Sequence, residues 1–350
     1  MREGVLRRWA DHLPIGPDTP NLDLSEGSTP LVNSTRLGPG LDIELHFKWE
    51  GANPTGSFKD RGMVVAVAKA KEEGSTVLLC ASTGNTSASA AAYGARAHMR
   101  AVVIVPESQV AMQKLSQALM YGAKVVSVPS GGFDGAFATV QVLAERYPSI
   151  TVVNSTNPYR LEGQKTAAFE ICDDLGGAPD YLVLPVGNAG NITAYWMGFK
   201  QYRDLGRIET LPKMVGAQAQ GAAPLVTGQI VDHPKTVASA IQIGKPASRQ
   251  TAYRARDESG GVIESVTDTE ILSAQTLLAA SEGLLCEPAS AAPLALIINL
   301  VKAGRIASGS KVVCVLTGNG LKDPSAALSN VEPPLRFEGS PAQLAKALKL

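Results

Sequence analysis

Between residues 76 and 316, short apolar runs alternate with helical stretches, and no other feature restricts the fold as much. Residues 76–80, 101–105, 124–128, 151–154, 181–186, 213–217 and 311–316 read as strands, as does the more alternating run 45–49. Helices are expected at 58–73, 86–98, 112–121, 133–146, 163–175, 192–205, 269–282 and 289–303. Apolar strands joined through helices make mostly parallel sheets, which places the chain among α/β proteins. The 350 residues exceed the usual single domain of about 100–200, so two such sheets side by side fit the length. The first forty residues are rich in Pro, Gly and polar types and read as an arm with an extended segment at 29–33. A short helix is expected at 341–348.

In open parallel sheets, ligands collect at the carboxyl ends of the strands. Four polar glycine turns lie at such ends here. A loop ending in Lys59 follows the strand at 45–49. Ser82-Thr83-Gly84-Asn85 follows 76–80, Gly187-Asn188-Ala189-Gly190-Asn191 follows 181–186, and Thr317-Gly318-Asn319-Gly320 follows 311–316. Each has a plain reading as a turn. Together they can surround one ligand.

The loop of Gly187, Asn188, Ala189, Gly190 and Asn191 leads into a helix whose first backbone amides can hold a phosphate without a cationic side chain. It matches neither the nucleotide P-loop nor the dinucleotide fingerprint. Lys59 sits at a helix start, where the dipole disfavours a cation. If burial adds to this, its neutral amine becomes accessible and can attack an aldehyde. A lone lysine is otherwise an ordinary solvated group. Ser57 followed by Asp60 has the spacing of a capping box. Asp60 and Arg61 read alternatively as local ion-pairing residues. Asn85 can donate to a phenolate oxygen or cap the next helix. Thr317 can offer its hydroxyl to a pyridine nitrogen or close a turn.

Several classes are set aside. Lys and Arg total 32 and Asp and Glu total 32, so a broad basic surface for nucleic acid is not expected. No run approaches the roughly 20 apolar residues of a membrane span, and the N-terminus lacks a signal-peptide core. A cytoplasmic protein without membrane association is expected. Cys80, Cys172, Cys286 and Cys314 form neither a zinc pattern nor a disulfide framework and read as buried thiols. His12, His46, His98 and His233 are too dispersed to suggest a metal site, and none is expected. Trp9, Trp49 and Trp196 read as packing residues.

Taken together, the motifs resemble a known family. Glu26-Gly27-Ser28-Thr29-Pro30-Leu31, Asn53-Pro54-Thr55-Gly56-Ser57-Phe58-Lys59-Asp60-Arg61-Gly62, Ala81-Ser82-Thr83-Gly84-Asn85-Thr86, Val153-Asn154-Ser155, Asn157-Pro158 and Arg160-Leu161-Glu162-Gly163-Gln164-Lys165 carry the likeness, with the Gly187 loop and Thr317-Gly318. The chain resembles the pyridoxal-phosphate enzymes of the tryptophan-synthase-β group (fold type II), and the threonine synthases within it. The resemblance implies two open, mostly parallel twisted sheets flanked by helices. It implies a smaller α/β domain at 55–148, a larger one from 1–54 and 149–350, and the cofactor in the cleft between them.

It further implies that Lys59 is the catalytic lysine joined to pyridoxal 5'-phosphate. Asn85 would contact the ring 3-oxygen, residues Gly187 to Asn191 would hold the cofactor phosphate, and Thr317 would face the ring nitrogen. Ser82, Thr83, Asn85 and Thr86 would receive the substrate carboxylate. Thr86, Asn154, Ser155, Arg160 and Asn188 would receive a substrate phosphate, with Arg61 a lesser candidate. The implied substrate is O-phospho-L-homoserine and the implied assembly a homodimer. No C-terminal regulatory domain is expected. The competing readings are a serine or threonine ammonia-lyase and a catalytically idle phosphate-ligand sensor. The lyases commonly carry a more glycine-rich loop and often serine at position 317, and the intact Lys59 speaks against an idle binder.

Overall fold

The structure is a computed structural model and describes residues 3–107, 112–129, 132–324 and 336–348. Among these residues ten strands form two sheets. The first is six-stranded. It holds β1 (Leu31–Asn33), β2 (Glu44–Trp49), β7 (Tyr181–Pro185), β8 (Lys213–Ala219), β9 (Val262–Val266) and β10 (Lys311–Leu316), in the order β1-β2-β10-β7-β8-β9. Only β1 is antiparallel, at one edge. The second is four-stranded and parallel, with β3 (Val77–Ala81), β4 (Arg100–Pro106), β5 (Lys124–Val128) and β6 (Ile150–Val152) in the order β5-β4-β3-β6. The strand at 150–152 thus belongs to the smaller sheet.

Helices cover the sheets. In chain order they are α1 (Val5–Arg8), α2 (Leu37–Gly40), α3 (Lys59–Glu72), α4 (Asn85–Ala97), α5 (Met112–Met120), α6 (Gly132–Arg146), α7 (Pro158–Leu175), α8 (Gly190–Asp204), α9 (Pro224–Thr227), α10 (Arg249–Glu258), α11 (Asp268–Glu282), α12 (Pro288–Lys302) and α13 (Pro341–Ala347). The strands β3, β7 and β10 are buried almost throughout, as parallel strands sandwiched by helices must be. Trp9 anchors the N-terminal arm, with its ring 5.1 Å from Phe169 of α7. No helix among the described residues is long and apolar enough to cross a membrane.

Two features bring α3 and α7 unusually close. Glycines face one another at the crossing. A methyl at Gly62 would lie 3.0 Å from the Arg160 Cα, and one at Gly163 would overlap the Arg61 carbonyl. A buried charge cluster joins the same helices to β2. Arg61 of α3 donates to Glu50, just after β2, at 2.7 and 2.8 Å, and to Glu170 of α7 at 2.7 and 2.6 Å. Lys48 of β2 completes the cluster, 2.9 Å from Glu170. Burial alone would push Glu170 up, but Arg61 and Lys48 hold its carboxyl well below the ordinary range.

The start of α3 differs from the capping box expected at Ser57 and Asp60. The helix has Phe58 at its N-cap position and no side-chain cap bond. Asp60 is turned instead onto the Thr55 amide at 2.7 Å, the Thr55 hydroxyl at 2.6 Å and the Ser89 hydroxyl at 2.7 Å. These short bonds shape the loop before Lys59 and tie it to α4. They outcompete a cap because the carboxyl is fully buried and needs several donors.

A Gly163→Ala variant should lose about 1–3 kcal/mol of unfolding free energy, because the inserted methyl must separate α3 from α7. Chemical denaturation measures it, and an unchanged midpoint would refute the close crossing. Glu170→Ala should cost about 3–5 kcal/mol, since Arg61 and Lys48 would keep buried charge with one anion fewer. The Glu170 folded-state pKa lies below the ordinary 4.5, so its stabilisation is present above that pH and fades as pH falls. The difference between wild type and Glu170→Ala should therefore shrink in acid.

Candidate active site

β2, β10 and β7 are neighbours in the larger sheet, and β3 is central in the smaller one. Their carboxyl ends deliver the four turns named above to one region. Backbone contacts weld two of them together. Phe58 N donates to Thr317 O at 2.9 Å, Asn319 N donates to Gly56 O at 2.9 Å, and Ser57 bridges Gly318. The loop before Lys59 is thereby fixed to the end of β10.

Lys59 opens α3 and is half-buried, with its Nζ 4.3 Å from the centre of the Phe58 ring. Among the described residues no carboxylate lies within ion-pair distance of that amine. Burial first, then the Arg160 charge, brings the Lys59 pKa down to about 7, against an opposing pull from Glu287. An amine with this midpoint is substantially neutral at physiological pH, which fits it for covalent work and for moving protons.

Arg160 lies in the first turn of α7 and is fully buried. It does not pair with Glu162, which instead binds Lys165. One guanidinium nitrogen, Nη1, donates to Val153 O at 2.7 Å, while Nε and Nη2 are buried without partners. Burial brings its pKa down to about 10, so it stays a cation at neutral pH. Two unsatisfied buried donors on one cation make a strong anion acceptor.

The loop after β7 has the backbone of an anion cradle. Ala189 is left-handed, with φ 66°, and α8 starts directly at Gly190, two residues earlier than its apolar pattern suggests. The left-handed residue followed by helical ones turns successive N–H groups to one side. Gly187 has no room for a side chain, since a methyl there would sit 2.9 Å from Ile241 Cα. Both polar atoms of the Asn191 amide are buried without protein partners. Asn188 donates to Ser155 and accepts from Ala247 N at 2.6 Å, which locks the loop against the segment after β6.

The remaining predicted residues fall in three settings. Ser82, Thr83, Asn85 and Thr86 lie half-buried on the turn after β3, and Gly84 N donates to Ser82 Oγ at 3.2 Å. Asn154 is turned onto the backbone of Ala81, accepting from its N–H at 3.0 Å and donating to its carbonyl at 2.9 Å. That leaves one amide N–H for anything else. Thr317 is buried, with its hydroxyl 2.8 Å from Ser290 Oγ. Arg61 is spent on its own cluster, donating to Glu50, Glu170, Thr29 and Thr166.

Sequence reasoning passed over Ser290 and Glu287. Both lie at the start of α12, and Glu287 accepts from Asn85 Nδ2 with both oxygens at 3.1 Å. The signal was a Glu-Pro pair opening an apolar helix, with proline at the first helical position. A separate open surface cavity of about 460 Å3, lined by residues including Pro30, Asn33, His46 and Asp174, touches none of these groups.

Residues 22–318 match the family described as pyridoxal-phosphate dependent enzyme. The chain is 56% identical to a threonine synthase of Halalkalibacterium halodurans over 329 residues, 94% of this chain and 92% of that one. It is 49% identical to a threonine synthase of Methanocaldococcus jannaschii, covering 99% of this chain and 88% of the relative. Among solved structures, a T.th. threonine deaminase aligns with a TM-score of 0.71 at 24% identity, covering 90% of this chain and 96% of that one. Maize serine racemase aligns with a TM-score of 0.74 at 19% identity, covering 93% and 94%. These two establish the fold. The residues present suit pyridoxal phosphate: a depressed lysine for its aldehyde, an amide-lined turn with the unpartnered Asn191 for its phosphate, and a neutral hydroxyl on Thr317.

In cofactor-free protein, amine-directed labelling followed by mass spectrometry should titrate Lys59 with a midpoint near pH 7, against about 10.5 for exposed lysines. Arg160→Met should move that midpoint upward, because it removes the neighbouring positive charge. A Lys59 midpoint near that of surface lysines would contradict the electrostatic reading.

Proposed function

The chain belongs to the pyridoxal-phosphate-dependent enzymes and, within them, to the threonine synthases, and we propose on that footing that it converts O-phospho-L-homoserine and water into L-threonine and inorganic phosphate. The observation that carries this reading is Arg160, a wholly buried cation with two unpartnered donors, whose charge acts on the lysine amine. Such a group calls for an anion in addition to the one received by the Gly187–Asn191 turn, and a phosphorylated substrate supplies it.

Bound pyridoxal phosphate supplies an electron sink that stabilises a carbanion beside the substrate amine. The chain does the rest. Lys59 Nζ would hold the cofactor covalently, and its free amine would serve the substrate side. Near its midpoint of about 7 it exists as amine and ammonium together. It can therefore take the proton from the substrate α carbon and one from the β carbon, and hand protons back at the γ carbon and at the α carbon. Phosphate departs from the γ carbon, and water supplies its hydroxyl to the β carbon and its other proton to the phosphate.

Asn85 would meet the ring 3-oxygen. Gly187, Asn188, Ala189, Gly190 and Asn191 would hold the cofactor phosphate through backbone amides, and Thr317 would meet the ring nitrogen. The Thr317 hydroxyl is neutral and shared with Ser290, so it does not keep that nitrogen protonated as a carboxylate would. Ser82, Thr83, Asn85 and Thr86 receive the substrate carboxylate. Thr86, Ser155, Arg160, Asn188 and the remaining N–H of Asn154 receive its phosphate. We place the smaller domain at 55–148, carried on through β6 at Ile150–Val152, and the larger in the residues before and after it, with the cofactor in the cleft between them. The chain is assigned to the cytoplasm, a reducing setting for its four buried free thiols, and to a homodimer.

Purified enzyme given O-phosphohomoserine should release threonine and phosphate in equal amounts, and Lys59→Ala should release neither. Arg160→Ala protein that still binds cofactor should lose about 2–5 kcal/mol in kcat/KM, the usual effect of removing one partner of a buried charge pair. Rapid 2-oxoacid formation from threonine without turnover of phosphohomoserine would instead make the protein an ammonia-lyase. Unchanged kinetics in Arg160→Ala would remove Arg160 from the substrate site.

A further inference from the structure

Glu287 is a buried carboxylic acid at the centre of the site, and the reaction steps above give it nothing to do. It occupies the N-cap position of the fifteen-residue α12, where the helix dipole favours a negative group. Its backbone N–H donates to Gly318 O at 3.1 Å, and its carboxyl lies over Gly318, next to Thr317. A methyl at Gly318 would reach 2.5 Å from the carboxyl carbon, so glycine is required there for the carboxyl to keep its place. Across the gap, both carboxyl oxygens accept from Asn85 Nδ2 at 3.1 Å. Asn85 belongs to the turn after β3 of the smaller sheet, while α12 packs on the larger one. The contact therefore joins the two halves of the molecule at the cofactor.

An asparagine amide can face either way, and its neighbours decide which. An ionised carboxylate only accepts hydrogen bonds, so it dictates that the amide nitrogen, and not the oxygen, points toward it. With one N–H shared between the two carboxyl oxygens, the other N–H of the same nitrogen can donate to a ring oxygen. Other charged and titratable groups face Glu287 from several elements. Lys59 lies at the start of α3, Lys322 and Asp323 lie beyond β10, and the Cys286 thiol precedes it in the chain. Burial pushes the Glu287 pKa up, while the Asn85 bond, Lys322 and Lys59 draw it back. At the Lys59 amine, Glu287 and Arg160 act with opposite sign.

We infer that Glu287 is a positioning residue for this reaction: its carboxyl fixes which way the Asn85 amide faces the cofactor ring, and it sets a negative charge against Arg160 at Lys59. The inference rests on the assignment of Lys59 and Asn85 to the cofactor. It goes beyond that assignment by naming the group that orders them. Glu287→Gln keeps the size and removes both the charge and the acceptor-only character. Glu287→Asp keeps the charge and shortens the reach to Asn85.

Two measurements on cofactor-free protein test it, and neither uses turnover. In Glu287→Gln the midpoint for labelling Lys59 should fall by about one pH unit, a roughly tenfold change in the ammonium-to-amine ratio. Its affinity for added pyridoxal phosphate should fall by about tenfold, the scale of one lost hydrogen bond in a buried site. An unmoved midpoint overturns the charge half of the inference, and an unchanged affinity overturns the orientation half. If Glu287→Gln does not fold, Glu287→Asp decides. A wild-type midpoint with weakened cofactor binding supports the inference, and a lowered midpoint or unweakened binding overturns it. Failure of wild-type enzyme to use phosphohomoserine would remove the substrate assignment and leave both readouts intact.

Discussion

The site depends first on a guanidinium that never touches it. Arg61 is completely buried, and its five N–H donors are shared among Glu50, Glu170, Thr29 and Thr166. Taking these charges out of water costs several kcal/mol per ion, and only near-complete pairing offsets that cost. Here the pairing spans β2, α3 and α7, with Lys48 as the second cation. Because Arg61 stands two residues after Lys59, holding it fixes where α3 begins. The glycine crossing of α3 and α7 then brings Arg160 close enough to act on the lysine amine. A structural ion cluster and the electrostatics of the site are thus one arrangement.

The site presents two chemically different means of holding anions. The Gly187–Asn191 turn offers backbone amides and a helix start, without a positive side chain in the turn. Its partner is a desolvated arginine with two donors to spare. Amide cradles suit a permanently bound phosphate because they hold it without a mobile charge. An arginine suits an anion that arrives and departs, since it can fork two hydrogen bonds onto phosphate. Glu287 acts against Arg160 at Lys59, so the local field there is a balance and not simply the result of burial.

Much of the fold was legible because parallel strands must be apolar and must alternate with helices. The strands at 76–80, 101–105 and 311–316 shift by no more than a residue at either end in β3, β4 and β10. The residue added at the end of β4 is Pro106, which pairs with Val128. What escaped the reading was polar. The strand β9, Val262–Val266, is an edge strand with Glu264 in its middle, and α10 is Arg249–Glu258, a charge-rich helix with few apolar residues. The capping spacing at Ser57 and Asp60 was present, but the buried Asp60 found better donors in Thr55 and Ser89. Asn154 followed the same logic, with its amide drawn to the unpaired backbone of Ala81 at the end of β3.

The sequence by itself determined the α/β alternation and the four glycine turns at strand ends, one of which ends in Lys59. These are local patterns, set by side-chain period and by turns that only certain residues allow. The tertiary structure alone decided that Arg160 is buried rather than paired with Glu162, and that Arg61 belongs to the core rather than to the site. It also decided that Glu287, 228 positions after Lys59 in the chain, bears on the same amine. Burial and pairing arise between segments far apart in sequence, and these two quantities set the charge and proton affinity of each group at the site.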